Sequence, residues 1–88
     1  MAVVGYIVQY SNEEDYTVYH GFMRLHRSFQ AALEHAKDHY RGYLETLPEP
    51  ETEIFEVHTP TKKECDERGS VVVFECAAFV VWIDCVVE

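Results

Sequence analysis

His35 and His39 stand four residues apart in a segment of helical periodicity, a spacing that turns two imidazoles to one side, where both could ligate a metal ion. A third ligand would have to come from His20, His26, His58 or a carboxylate. The zinc-protease pattern needs glutamate directly after the first histidine, and Ala36 stands there instead. Two ligands do not define a site, so the expectation is no metal and no cofactor, with a small metal- or ligand-binding domain built on His35 and His39 as the alternative. The three cysteines, Cys65, Cys76 and Cys85, fit neither a disulfide framework nor a zinc knuckle and read as reduced, mostly buried thiols. Cys65 lies between Lys63 and Arg68, but Glu64, Asp66 and Glu67 oppose its thiolate. No serine, threonine or cysteine sits in a nucleophile turn, and no glycine-rich loop precedes the helix to cradle a phosphate. An enzyme is not expected.

The carboxylates carry a different message. Glu45, Glu49, Glu51, Glu53 and Glu56 fall in one short stretch, and no lysine or arginine appears between Arg41 and Lys62. With 16 acidic against 7 basic side chains, the formal charge is -9 on 88 residues, beyond what solubility requires of so small a domain. Such a field repels nucleic acid and anionic membrane and attracts basic protein surfaces. Tyr6, Tyr10, Tyr16 and Tyr19 crowd the first β-prone segments, and tyrosine anchors interfaces as well as forming strands. Stacking of single-stranded nucleic acid on them would need a positive groove, which Arg24, Arg27 and Arg41 are too few to supply.

The elements that must position these groups follow from periodicity. Residues 2–10 are β-prone and apolar on both parities, with Val4, Tyr6, Val8 and Tyr10 on one and Val3 and Ile7 on the other. A polar reversal over Ser11 to Asp15 leads to a second strand from about Tyr16 to Leu25. Gly5 and Gly21 fall inside these strands, where glycine marks a bulge or a close backbone approach. Ser28 caps a helix from Phe29, whose Phe29, Ala32, Leu33, Ala36, Tyr40, Tyr43 and Leu44 form one apolar stripe with the two histidines on its flank. Pro48 and Pro50 stop it, leaving Glu45 to Glu51 as an exposed acidic linker.

A third strand spans Thr52 to His58, with Ile54, Glu56 and His58 on one side. Thr61 to Gly69 reads as a loop or single helical turn, and Ser70 to Val87 as either one long bent strand or, the favoured reading, two strands meeting near Ala77 and Ala78. The order β-β-α-β-β, with a possible fifth strand, defines a single α+β domain over residues 1–88: an antiparallel sheet of four or five strands with one main α-helix packed on one face. If both parities of the first and last strands are apolar, the opposite face needs a cover, and a homodimer would supply one, the alternative being a strongly curled sheet that closes on its own residues.

No apolar run is long enough to span a bilayer and no secretory pattern opens the chain, so a cytoplasmic protein without membrane contact is expected. The expected function is a small acidic protein-interaction module that docks on and occludes a basic, nucleic-acid-binding surface of a partner, without binding nucleic acid directly. Phage-encoded inhibitors of nucleic-acid-guided defence, the anti-CRISPR type, often work in this way, and the likeness is one of type alone, without a shared motif. The expected contacts are Glu45, Glu49, Glu51 and Glu53, a second cluster of Glu13, Glu14 and Asp15, and the neighbouring Tyr10 and Tyr16. A self-assembling structural subunit is the remaining alternative.

Overall fold

The computed structural model describes residues 2–12, 17–19, 25–46, 55–76 and 79–88. Among them β1 spans Val3–Asn12, β2 Thr17–Tyr19, β3 Leu25–His26, α1 Phe29–Thr46, β4 Phe55–Val57, α2 Lys62–Arg68, β5 Ser70–Cys76 and β6 Phe79–Val87. All pairings are antiparallel, in the order β2-β1-β6-β5-β4, with β3 also paired to β1. The fold is therefore α+β, an antiparallel sheet of six strands in which β2 and β3 share one edge of β1, with its main helix packed on one face.

Alternation decides what each strand contributes. Tyr6 pairs with Cys85, Val8 with Ile83 and Tyr10 with Val81, while Val71 pairs with Ile83 and Phe74 with Val81. Tyr6, Val8, Val71, Val73, Phe74, Val81 and Ile83 are buried beneath Phe29, Ala32, Ala36 and Tyr40 of α1. The apolar stripe of the helix meets the sheet as its periodicity predicts, with Leu33 and Leu44 half-buried beside it; the side chain of Tyr43 is outside the described set. Aromatic packing ties the layers: Phe29 meets Tyr6 edge-on at 5.5 Å, and Tyr40 stacks on Phe74 at 4.9 Å. Ser28 caps α1, accepting from the Ala31 amide at 3.1 Å.

Two expectations are corrected. The stretch expected as one strand from Tyr16 to Leu25 does not keep one register against β1: Tyr10 pairs with Tyr19 but Ile7 with Leu25 and Tyr6 with His26, an offset of three residues between β2 and β3. Residues 20–24 lie outside the described residues. Thr61 to Gly69, expected as a loop or one turn, holds the seven-residue helix α2. Its start is written in Thr61-Lys62-Lys63-Glu64, a capping box in which Thr61 Oγ1 accepts from the Glu64 amide at 3.2 Å and donates to the Glu64 carboxylate at 3.1 Å. Its end is Gly69, whose φ of 88° lets its amide reach the Cys65 carbonyl at 2.8 Å. The Gly69 carbonyl then accepts from the Cys85 amide, fastening the end of α2 to β6.

The expected division of Ser70 to Val87 into two strands is present as β5 and β6, with Ala77 and Ala78 outside the described residues. So too are Pro48, Pro50, Gly21 and Ile54. Register shifts mark bulges between Val3 and Gly5 on β1 and between Val72 and Phe74 on β5. At the second, Val72 and Phe74 pair with the consecutive Trp82 and Val81, so Val73 is the extra residue and both Val73 and Phe74 reach the core.

Gly5 is where β3 approaches most closely: a Cβ there would lie 2.6 Å from the His26 carbonyl oxygen and 2.8 Å from Leu25 Cδ1. Gly5→Ala must push β3 off β1. It is expected to destabilise the fold by about 1–3 kcal/mol, the usual cost of overpacking, whereas Gly42→Ala, at an open position on α1, should be neutral or stabilising; urea denaturation of both variants checks the contrast.

Candidate functional site

Both helices lie on one face. α1 covers the middle of the sheet, and α2 covers its end, where the Tyr6 hydroxyl donates to Asp66 Oδ1 at 2.7 Å. Lys62 Nζ donates to the other Asp66 oxygen at 2.6 Å, and Cys85 Sγ to Oδ1 at 3.7 Å. The Lys62 hydrogen bond, followed by that of Tyr6, holds Asp66 below the usual carboxylate range. Burial pushes Tyr6 up and raises Cys65 to about 11, and Cys85 is raised for the same reason. All three cysteines are unpaired, and Cys65, with Sγ on the Ile83 carbonyl at 3.7 Å, is fully buried. A thiol raised by burial is a poor nucleophile at neutral pH, so this group fastens helix to sheet.

The histidines of α1 form a ladder at the sheet edge. His26, brought to the helix side by its pairing with Tyr6, places Nε2 2.8 Å from His35 Nδ1. The His35 and His39 rings are 5.0 Å apart, and Tyr10 lies 5.2 Å from His39. Partial burial, then the neighbouring His35, lowers the pKa of His39 below the ordinary 6.5.

The other face of the sheet carries the alternate parity: Ile7 beside Leu25 and Asp84, Gln9 beside Trp82, Val72 beside Trp82, and Glu56 beside Glu75. No described element covers it. Trp82, Ile7 and Val86 are half-buried by one another's neighbourhood, while Leu25 and Val72 are exposed at 43% and 39%. Gln9 Nε2 donates to Asp84 beside the tryptophan. At the β4 edge His58 Nε2 lies 2.9 Å from Glu75 Oε1 and 3.5 Å from Glu56 Oε2. The His58 hydrogen bond is the main reason that Glu75 sits below its usual value. The β4–β5 ladder positions this histidine: it continues past Val57 and Phe74, so that the His58 amide donates to the Val73 carbonyl at 2.8 Å.

Of the contacts expected from sequence, Glu45 is exposed near the end of α1, and Tyr10 is half-buried on the helix side, packed on the core. Glu49, Glu51, Glu53, Glu13, Glu14, Asp15 and Tyr16 lie outside the described residues. Both ends of the acidic stretch are described, however: it leaves α1 at Glu45 and enters the open face of β4 at Glu56. Sequence reasoning did not single out Trp82, Val72 or Glu75. The signal for them was the second apolar parity of the first and last strands, which cannot be assigned to a face until register is known.

No family model matches the chain, and neither a curated protein nor a solved structure matches it at a significant level. What the coordinates define is a class, an α+β sheet with helices on one face and a mixed apolar and acidic surface on the other. Among the described residues no helix is long and apolar enough to cross a membrane.

The lowered pKa of His39 has a thermodynamic consequence. Between its folded value and about 6.5 the unfolded chain binds more protons at this position, so stability falls as pH drops below about 6.5 and the loss is complete below the folded value. Glu75 and Asp66, both lowered, lose their contribution only in the more acid carboxylate range. Thermal unfolding across the range from neutral to mildly acid pH should show this slope in the native protein and a flatter one in His39→Gln; equal slopes would contradict the assignment.

Proposed function

We propose that the protein acts by binding rather than by catalysis: a small acidic interaction module that seats its open sheet face on a basic protein surface built to hold nucleic acid. It would act as an inhibitor of the kind that phage-encoded anti-CRISPR proteins represent. The observation that carries this reading is the uncovered face itself, with Trp82 beside Val72 and Gln9, and Glu56 and Glu75 at its edge. An apolar centre with a charged rim is the common plan of protein interfaces, and tryptophan is enriched among residues that dominate affinity. Charge selects the partner. A formal charge of -9 disfavours nucleic acid and membrane and steers the molecule toward basic surfaces, where carboxylates take the place of phosphates.

A second copy of the chain is the competing occupant of this face. Its cost is electrostatic, since pairing two open faces would bring Glu56, Glu75 and Asp84 of each copy into one interface. Sedimentation of the purified protein over a wide concentration range is expected to give a monomer; a stable dimer dissociated by Trp82→Asp would replace the docking reading with self-assembly.

The docking reading is tested by capturing the partner from the native host at low salt, then measuring whether the protein displaces nucleic acid from that purified partner. Displacement should weaken as salt rises, weaken about 30-fold or more in Trp82→Ala, as for a central interface anchor, and weaken further when Glu49, Glu51, Glu53 and Glu56 are reversed to lysine. Displacement that ignores salt and all of these substitutions would refute it.

A further inference from the structure

We propose that Glu56, His58 and Glu75 form a binding site for a divalent transition metal ion of the zinc class. Glu56 Oε2, His58 Nε2 and Glu75 Oε1 come from two paired strands, and each ligand atom lies within 4.8 Å of the others. Among the described residues this is the one group of three that meets that condition, and the histidines of α1 do not form such a group. The two nitrogen–oxygen separations, which His58 now spans by hydrogen bond and ion pair, are also compatible with a metal polyhedron. At metal–ligand distances of about 2.1 Å, neighbouring ligands stand about 3.0 Å apart in an octahedron and about 3.4 Å apart in a tetrahedron. The edges here are 2.9 Å to Glu75 and 3.5 Å to Glu56. The third edge is free to close, because the Glu56 side chain is 70% exposed.

The backbone supplies the second argument. Glu56 and Glu75 are directly opposed across the β4–β5 ladder, a placement in which like charges destabilise a sheet. Imidazole Nε2 can donate one hydrogen, and it lies between the two carboxylates, nearer Glu75 than Glu56. A divalent cation compensates both and uses the same nitrogen as a ligand. One imidazole and two carboxylates are a borderline donor set that suits zinc and its first-row neighbours. The backbone of the histidine is held by the β4–β5 ladder, whose next bond runs from the His58 amide to the Val73 carbonyl. A cleft of about 400 Å³, bordered by His58, Glu75, Val72, Ser70, Glu64 and Arg68, adjoins two of the three ligands.

The site joins a three-residue edge strand to β5, so an ion there would stabilise the fold as well as lower the charge of the open face. This inference stands apart from the docking reading, and its test uses the isolated, untagged protein with no partner present. Zinc chloride alone is titrated into metal-free protein, with binding followed by calorimetry, stability by thermal unfolding, and the histidine ring signals by NMR. The expected result is one ion per chain, a raised melting temperature, and a zinc-dependent shift of the His58 ring. Binding should weaken at least about tenfold in His58→Ala and in Glu75→Gln, and persist in His35→Ala. The proposal is overturned by no stoichiometric binding, by His58 signals that do not respond in the native protein, or by binding that His35→Ala removes and His58→Ala leaves intact. The NMR readout on the unmutated chain keeps the test decisive if a variant fails to fold.

Discussion

The strand β6, hydrogen-bonded along one side to β1 and along the other to β5, is the constraint on which the rest of the structure depends. Its alternation sends Val81, Ile83 and Cys85 under the helices and Val80, Trp82, Asp84 and Val86 to the opposite face. Because side chains on paired strands share a face at each opposed position, this one parity also assigns Tyr6, Val8, Val71 and Phe74 to the core. The helix stripe then has one surface to meet. A slip of one residue between β1 and β6 would turn one strand over relative to the other, bringing either Ile7 and Gln9 or Trp82 and Asp84 beneath α1 and stranding an amide or a carboxylate there.

The helix side and the open side divide the chemistry between them. Beneath the helices, polar groups are few and partnered: Asp66 collects Tyr6, Lys62 and Cys85, and no buried side-chain polar atom among the described residues lacks a partner. That pattern belongs to a structural junction, with thiols whose burial suppresses reactivity. On the open side, by contrast, like charges oppose each other across a ladder and apolar side chains face outward. Features that reduce stability in isolation gather where a ligand or partner would reverse their cost, which is the physical ground for reading function there.

Local signals were legible wherever neighbouring residues decide the outcome. Ser28 at the head of α1, the apolar stripe from Phe29 to Leu44, and the division of Ser70 to Val87 all follow from propensity and capping. The helix α2 was equally local, since Thr61 and Glu64 cap it and Gly69 ends it, but the charge of the segment obscured that pattern. The change of register between β2 and β3 was not legible, because an offset of three residues exists only against the partner strand. Gly5 lay between these cases: glycine in a strand announced a close approach, and only the structure shows that β3 is what approaches.

By itself the sequence determined the acidic excess, the amphipathic helix, the β-prone runs and the α+β class, all of which are sums or periodicities along the chain. Glu56 and Glu75 are nineteen residues apart in that chain, and Gln9 and Trp82 are at nearly opposite ends of it. Only tertiary structure decided that they are neighbours, and that His58 stands between two carboxylates instead of joining His35. The reason is that register is a property of strand pairs: the β4–β5 ladder, which opposes Glu56 to Glu75 and runs on into the His58–Val73 hydrogen bond, sets where His58 meets β5, and nothing local to either segment encodes that meeting.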